Sequence, residues 1–282
     1  MADMKTTPKL IIQRVLSYAL LIGILFMFFL PIISMLSVSF KTEAEIFRSS
    51  PLLFPASINL DNYGRALTRL NLGAYLYNTV ATSLMYTVAC TFSSAMAGYA
   101  LARFNVRENG FFFTLVLSSM MIPYIITLIP FYLLVKDLGL TNRHILWLLY
   151  GLGGAPFLIY LFRQFFATIP ASLEESARMD GAKPLRIFFS IMLPLVKSGT
   201  IISAIFAFQW SWQNYLMPAL FLSSLKTTLA VQINVAFQDI QQNILLGELM
   251  AGVMYYIAIP LILFFVFQRY IMHGMLEGGV KG

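Results

Sequence analysis

The sequence predicts an all-α protein that crosses a membrane six times, and its composition and apolar segments carry this prediction. Of its 282 residues, 59% are hydrophobic and 11% are charged, and the mean hydropathy is +0.77. Soluble domains carry about 25% charged residues. Six apolar stretches have roughly the 20 residues that a membrane-spanning helix needs. We find no polar stretch of about 100 residues, the size of an ordinary soluble domain.

The first predicted span, 15–39, follows a basic start at Lys5, Lys9 and Arg14 that resembles a secretory signal. Its apolar core is too long for a signal and no small-residue cleavage site follows, so we expect a retained anchor. The other spans are predicted at 76–100, 111–135, 144–162, 199–221 and 249–270. The chain is thereby divided into an N-terminal segment 1–14, a six-span domain 15–270 and a tail 271–282.

Prolines lie inside or at the edges of these spans. In a bilayer, a carbonyl freed by proline must be satisfied by neighbouring helices, hydroxyls or water. We expect ordinary kinks in a packed bundle, with flexing elements as the alternative. These residues are Pro31, Pro123, Pro130, Pro156, Pro218 and Pro260.

Lysine and arginine positions predict the orientation, because inward-facing segments are enriched in basic residues. With the N-terminus inside, twelve of the 19 basic residues fall in inside segments and seven outside. Both termini are therefore predicted to be cytoplasmic. The long outside segments are 41–75, where we expect a short surface helix, and 222–248.

Several functions are disfavoured by what the sequence contains. The net charge of +7 is spread along the chain, which argues against a nucleic-acid partner and suits a protein in contact with lipid. Cys90 is the single cysteine, and His144 and His273 are far apart, so neither an intrachain disulfide nor a metal site is expected. We find no carboxylate pair or nucleophile with a base inside a span, which disfavours an enzyme.

A polar loop, residues 163–198, separates the fourth and fifth spans. Ser172 with Glu175 forms a capping-box pattern that predicts a helix start near Leu173. Gly181 is placed to end this helix in a left-handed cap. Pro184 suits the first turn of a second helix. A helix of about two turns is too short to be stable alone. The caps alone fit either an ordinary re-entry loop between two spans or a surface that meets a soluble partner.

The polar loop resembles a known motif. Glu175-Ser176-Ala177 is followed after three residues by Gly181 and after nine more by Ile191-x-Leu193-Pro194. This spacing is similar to the EAA loop in permease subunits of binding-protein-dependent ABC importers. Ser176 departs from the alanine usual in the family, and its small size preserves close packing.

Two further segments resemble the carbohydrate branch of that family. The tail from Gln268 to Gly282 is similar to the C-terminus of MalG-like permeases of maltose-type importers. The segment Trp210-Ser211-Trp212-Gln213-Asn214 is similar to the same branch.

The resemblance implies the type I permease fold of ABC importers and a coupling helix at about 173–180 that docks into a cytoplasmic ATPase subunit. It implies that Glu175 pairs with a basic group of the ATPase and that the C-terminus reaches the ATPase pair at Gly278, Gly279 and Lys281. The implied partners are a second permease subunit in a heterodimer, two ATPase subunits and an extracytoplasmic solute-binding protein. The predicted coupling residues are Glu174, Glu175, Ser176, Ala177, Asp180, Gly181 and Ala182.

The energy source is predicted to lie on a partner. The chain lacks the G-x-x-x-x-G-K-[ST] phosphate loop, so no cofactor is expected in it, and ATP and Mg²⁺ are assigned to the ATPase. The glycine-rich run 151–154 is expected instead to allow close helix approach. Ion-coupled secondary transporters, the alternative class, usually place ionisable groups within the spans, which here are nearly free of them.

The predicted solute pathway lies mainly in the fifth span. Gln209 and Gln213, like Trp210 and Asn214, are four residues apart and so lie on neighbouring stripes of one helix. Amides exchange hydrogen bonds with sugar hydroxyls and an indole face suits a sugar ring, so a sugar or oligosaccharide is the predicted solute. The alternative role of these side chains is packing between helices. The alternative solute is glycerol phosphate, whose recognition would require a basic side chain near the cavity. Weaker candidates are Asn78, Ser83, Tyr86, Tyr124 and Thr127.

Overall fold

A computed structural model describes residues 8–48, 53–104, 106–238 and 243–279, and it confirms the all-α prediction. In chain order the helices are α1 (Pro8–Ser39), α2 (Glu43–Ile46), α3 (Asp61–Arg69), α4 (Leu72–Arg103), α5 (Asn109–Ser119), α6 (Tyr124–Asp137), α7 (Ile145–Leu152), α8 (Pro156–Ala167), α9 (Ala171–Met179), α10 (Pro184–Ile187), a π-helical turn (Phe188–Met192), α11 (Leu193–Leu195), α12 (Lys197–Trp212), α13 (Leu216–Phe221), α14 (Leu229–Ala236) and α15 (Leu246–Gly279).

Three uninterrupted helices are long and apolar enough to cross a membrane: Ile12–Ser39, Leu72–Arg103 and Leu246–Tyr270. They match the predicted first, second and sixth spans. Three more candidates are bent helix pairs, α5 with α6 at 97°, α7 with α8 at 52°, and Pro184–Leu195 with α12 at 85°. The described residues thus hold six candidate spans when each pair counts as one.

Kinks were expected at prolines in these spans, and the structure shows sharp breaks between separate helices in the spans predicted at 111–135 and 144–162, while α12 ends at Trp212 within the span predicted at 199–221. In the fourth span, Gly154 adopts φ +69° and Pro156 starts α8, so the helix breaks between them. Serine side chains of α4 satisfy backbone groups at the break: Ser94 Oγ accepts from the Ala155 N–H at 3.0 Å, and Ser93 Oγ donates to the Gly151 carbonyl at 3.0 Å.

The fifth span ends early for a similar local reason. Helix α12 stops at Trp212, and α13 begins at Leu216. The Asn214 Oδ1 accepts a hydrogen bond from the Met217 N–H at 3.0 Å, which supplies a side-chain partner for the new helix. At the end of α12, the Tyr256 hydroxyl donates a hydrogen bond to the Trp212 carbonyl at 3.0 Å.

The chain divides into two compact units. The first comprises residues up to Leu70 together with Ala236–Tyr255, and it contains the short helix expected in the first outside segment, α3. Polar contacts build it: Glu43 Oε1 accepts the Gly247 N–H at 3.0 Å, and Asn62 Nδ2 donates to the carbonyls of Ser39 and Lys41. Its ion pairs join Arg65 and Arg69 of α3 to the buried Glu248 of α15.

The second unit comprises Asn71–Val235 and residues from Tyr256 onward, with α4 packed against α7, α8 and α12. Glycines allow this close contact. A Cβ atom at Gly98 would lie 2.6 Å from the Phe162 Cβ, and one at Gly151 would lie 2.9 Å from the Ala89 Cβ. The expectation that the glycine run permits close helix approach therefore agrees with the packing at Gly151.

Candidate functional site

The helix of the polar loop, α9, begins earlier than predicted. It starts at Ala171, after Pro170 in an extended conformation with ψ 135°, and no side chain caps its first turn. The predicted capping box of Ser172 and Glu175 was therefore wrong. Pro170 supplies the helix boundary, so Ser172 already lies inside the first turn and is not at the N-cap position.

The end of α9 matches the prediction. Gly181 adopts φ +79°, a left-handed conformation that favours glycine. The Gly181 N–H donates to the Arg178 carbonyl at 2.9 Å, and the Ala182 N–H donates to the Ala177 carbonyl at 3.0 Å. Pro184 then occupies the first turn of α10, as expected.

Glu174 points into the protein. It is 5% exposed, and its Oε1 accepts the Tyr99 hydroxyl at 2.7 Å. Arg178 donates to the same oxygen at 2.9 Å, and the Nε of Arg103 lies 3.6 Å from Oε2. Arg178 belongs to α9 itself, so the Tyr99 hydrogen bond, which is strengthened by the charge of the carboxylate, and the Arg103 ion pair are the contacts that join Glu174 to the end of α4.

The predicted coupling residues therefore separate onto different faces. Glu174 and Ala177 are buried against the rest of the second unit, and Ala182 is partly buried. The exposed members are Glu175, Ser176, Asp180 and Gly181. Met179, which was not predicted, is 88% exposed beside them.

An aromatic cluster lies beneath the polar loop. Tyr99 of α4 and Phe166 of α8 pack with Phe188 of the π-helical turn, with ring centroids 5.3–6.3 Å apart. Other buried members of the cluster are Ala95, Phe162, Ala177, Ile187, Met192 and Val196. The loop is therefore packed onto the membrane helices through a continuous apolar layer.

A cavity of about 410 Å³ opens in the second unit, among α4, α6, α7, α12 and α13. Its lining carries no charged side chain. Tyr86 and Tyr150 stack within it with ring centroids 5.7 Å apart. The lining residues are Tyr86, Tyr124, Trp147, Tyr150, Trp210, Ser211, Asn214 and Met217.

Ser211 is a polar residue in the wall of this cavity. The residue is 5% exposed, and its hydroxyl lacks a hydrogen-bond partner within the described part of the chain. A buried hydroxyl without a partner costs free energy, which a bound solute with hydroxyl groups would offset. Aromatic faces with a few polar groups are the usual composition of small-molecule sites.

The structure brings some of the predicted pathway residues together. Trp210, Asn214, Tyr124 and the weaker candidate Tyr86 line the cavity. Gln209 and Gln213 are exposed and do not line it.

Asn78 also lies away from the cavity. Its amide donates to the carbonyls of Leu225 and Thr227 at 3.2 and 3.1 Å. Among the other weaker candidates, Ser83 is buried in α4 and Thr127 donates to the Tyr124 carbonyl at 2.8 Å. The Thr127 contact stays within its own helix, whereas the Asn78 contacts join α4 to the 222–228 segment.

Sequence reasoning missed Trp147, Tyr150, Ser211 and Met217. Trp147 and Tyr150 are three residues apart on α7, so they share a helix face, and this spacing was a usable signal. Ser211 lies in the 210–214 segment that resembles the carbohydrate branch, but its place in the cavity wall was not predicted. Among the described residues, no three His, Cys, Asp or Glu side chains are grouped as metal ligands would be.

Of the C-terminal residues predicted to contact the ATPase, Gly278 and Gly279 lie in the backbone of α15, which continues past the predicted end of the sixth span. Lys281 lies outside the described residues.

A family model described as "Binding-protein-dependent transport system inner membrane component" matches residues 91–281. The chain belongs to this family. The matched region includes both the polar loop and all cavity residues except Tyr86. The resemblance inferred from the EAA-like spacing is thus confirmed, and the chain is a permease subunit of an ABC importer.

Several relatives of this permease are named for the transport of saccharides. It is 34% identical to the arabinooligosaccharides transport system permease protein AraQ of Halalkalibacterium halodurans, over 99% of each chain. It is 32% identical to the melibiose/raffinose/stachyose import permease protein MelC of Bacillus subtilis, covering 90% of this chain and 92% of the relative. A third relative is the lactose transport system permease protein LacG of Rhizobium radiobacter, at 29% identity over 99% of this chain and 100% of the relative.

Solved structures agree with the fold. The permease is similar to a chain from a bacterial ABC transporter involved in the import of the acidic polysaccharide alginate. The TM-score is 0.77 at 26% identity, covering 94% of this chain and 98% of the other. A chain of the MetNI methionine ABC transporter in an inward-facing conformation shares the fold with a TM-score of 0.51 at 18% identity, covering 72% and 97%.

Proposed function

We propose that this permease imports a neutral saccharide and is driven by a separate ATPase that docks on its polar loop. The observation that carries the proposal is the uncharged, aromatic cavity with the unpartnered Ser211 hydroxyl in its wall. The permease itself is non-catalytic in this proposal, and ATP and Mg²⁺ are bound by its partner.

The exposed face of α9 is the proposed docking surface for the ATPase. Glu175 supplies a charge for a basic group of the partner, and Met179 supplies an apolar contact. Gly181 provides the sharp exit that keeps this surface clear. Gly278, Gly279 and Lys281 are proposed as a second contact with the ATPase pair.

The proposed assembly places this chain beside a second permease, above two ATPase subunits and below a solute-binding protein. Both termini are cytoplasmic in this arrangement, which the uneven distribution of basic residues supports. ATP and the loaded binding protein each favour one of two packings of the spans, which gives alternating access.

The chemistry of the cavity supports a neutral saccharide over a charged solute. Trp210, Tyr86 and Tyr150 offer ring faces for the apolar C–H face of a sugar, while Ser211 and Asn214 offer polar groups for its hydroxyls. A phosphate or carboxylate would be desolvated there without a cationic side chain, which is costly. The saccharides named in the relatives point to the same class.

Uptake by the reconstituted importer tests this proposal. The complete complex is placed in vesicles with its binding protein and ATP, and raffinose, lactose and arabinotriose are compared with glycerol 3-phosphate and an oligouronate. ATP-dependent uptake of at least one neutral saccharide is expected. Uptake of the anionic solutes alone would overturn the saccharide assignment, and uptake by the isolated chain without ATPase would overturn the coupling.

Cavity variants test which residues meet the solute. Ser211→Ala and Asn214→Ala are expected to weaken uptake or change the order of preference among saccharides, by about tenfold for a lost hydrogen bond worth roughly 1.5 kcal/mol. The control variants are Ser17→Ala and Gln164→Ala, at exposed positions of α1 and α8. Kinetics identical to those of the controls would remove Ser211 and Asn214 from the pathway.

A further inference from the structure

Glu174 is the acidic residue of the polar loop that turns away from the proposed ATPase surface. We infer that Glu174, with Tyr99 and Arg103, is a positioning latch that transmits movement of α9 to α4 and so to the cavity. This inference rests on the coupling role proposed above for the polar loop. The test of this inference uses no solute, so its result does not depend on which solute the permease imports.

The latch joins α9 to α4 through two side chains on the same face of α4. Tyr99 and Arg103 are four residues apart on α4, so both project from one face of that helix. Tyr99 donates to Oε1 of Glu174 at 2.7 Å, and Arg103 Nε lies 3.6 Å from Oε2. Oε1 therefore has a hydrogen-bond partner on α4, and Oε2 has an ion-pair partner there at a longer distance.

Arg103 also joins a third helix to the latch. Its Nη2 donates to the Ile169 carbonyl at 2.5 Å, just beyond the end of α8. Its side chain is only 10% exposed, so both contacts are shielded from water. The same arginine thereby holds the C-terminal side of α8 and the carboxylate of α9.

Helix α4 connects the latch to the cavity. It runs without a break through 32 residues, from Leu72 to Arg103. Tyr86, in the cavity wall, precedes Tyr99 by thirteen residues, which is about 20 Å along a helix axis. A displacement of the Arg103 end must therefore appear at Tyr86, because an unbroken helix moves as a body.

Apolar packing also joins the polar loop to α4, and the latch adds a directional contact to it. The cluster formed by Phe166, Phe188 and their neighbours holds the loop near α4, but dispersion contacts are non-directional. The buried carboxylate of Glu174 contacts two side chains on one face of α4, so the interaction depends on the orientation of the two helices as well as on their distance. Removing the latch contact while leaving the cluster intact should therefore reduce the movement of α4 that accompanies a movement of α9.

The experiment measures movement at the cavity directly. In the complete importer with Cys90→Ala, a single cysteine is placed by Asn214→Cys and labelled with a membrane-impermeant maleimide. Labelling is compared without nucleotide and with ATP and vanadate. The latch variants are Tyr99→Phe, which keeps the ring and removes the hydroxyl, and Glu174→Gln, which keeps the shape and removes the charge.

Matched controls lie outside both the latch and the cavity. Tyr77→Phe removes a hydroxyl from the same helix at a residue that is 71% exposed, and Glu108→Gln removes an exposed charge before α5. Copurification of the ATPase with each variant is measured in parallel. This separates loss of transmission from loss of docking.

The expected result is that Tyr99→Phe and Glu174→Gln keep the ATPase bound but reduce the nucleotide-dependent change in labelling at least about fivefold. The double variant should be no worse than Glu174→Gln alone, because both remove one interaction. A labelling change equal to that of the controls in Tyr99→Phe would overturn the inference, whether or not Glu174→Gln assembles. Strictly additive effects of the two changes would also overturn it.

Discussion

Gly151 of α7 lies directly against Ala89 of α4, and a Cβ atom added at Gly151 would come within 2.9 Å of the Ala89 Cβ. It would also lie 2.9 Å from the Tyr86 carbonyl oxygen. Because Tyr86 lines the cavity, this glycine sets how closely α7 approaches one cavity wall.

We therefore expect Gly151→Ala to destabilise the permease. Overpacking of a tight contact costs about 1–3 kcal/mol, since backbone atoms cannot yield as a side chain would. Thermal unfolding of the purified complex measures the effect. Gly73→Ala is the control, because nothing lies within 4 Å of its added Cβ. Equal melting temperatures for the two variants would contradict the packing argument.

The turn after α9 gives a second prediction. Gly181→Ala should weaken ATPase copurification, because a left-handed conformation costs an alanine about 1–2 kcal/mol and the exit from α9 would shift. Gly110→Ala is matched to it, since neither added Cβ meets another atom within 4 Å and only Gly181 has a positive φ. If both variants retain the ATPase equally, the backbone conformation at Gly181 is irrelevant to docking.

Glu248 gives a third prediction, on the first unit. Its buried carboxylate pairs with Arg65 at 2.8 Å and Arg69 at 2.5 Å, and these arginine side chains are 52% and 41% exposed. Glu248→Gln is expected to cost about 1–3 kcal/mol, less than for a fully buried pair because water screens the arginines. Either arginine alone should matter less, since the other remains.

Thermal unfolding of Glu248→Gln, Arg65→Ala and Arg69→Ala, with Arg48→Ala as an exposed control, measures these differences. A Glu248→Gln protein as stable as Arg48→Ala would show that the ion pairs contribute nothing.

Asn78 gives a fourth prediction that separates stability from solute choice. Asn78→Ala removes the donor to two carbonyls of the 222–228 segment, which should cost about 1–3 kcal/mol. Relative uptake of different saccharides should stay as in the unmodified permease, because Asn78 does not line the cavity. Gln209→Ala, at an exposed amide of α12, is the control for stability. A changed order of saccharide preference would return Asn78 to the solute pathway.

Local chemistry made part of this structure predictable. Apolar length located the spans, and Gly181 and Pro184 were placed correctly because their effects depend on their own backbone angles. The capping box predicted at Ser172 is not present, because the nearby Pro170 sets the start of the helix and its effect was not weighed against the capping pattern. Bends in three spans could not be located from the prolines alone, since the break at Gly154 also depends on serines of α4.

Burial of Glu174 beside an exposed Glu175 could not be predicted from the loop. Which face of α9 turns inward depends on Tyr99, seventy-five positions earlier in the chain. Cavity residues posed the same difficulty. Trp147 and Ser211 come from distant segments, and only the packing of α7 and α12 on α4 brings them together.

The contact between Glu43 and the Gly247 N–H joins groups 204 positions apart. During synthesis, Glu43 emerges from the ribosome long before Gly247, whose backbone N–H is the donor of this bond, has been added to the chain. Helix α2 must therefore wait, without that bond, until Gly247 has been synthesised. The first unit would then close only when α15 begins to form, and truncations that end before Gly247 should leave the early segments of this unit open to quality-control proteases.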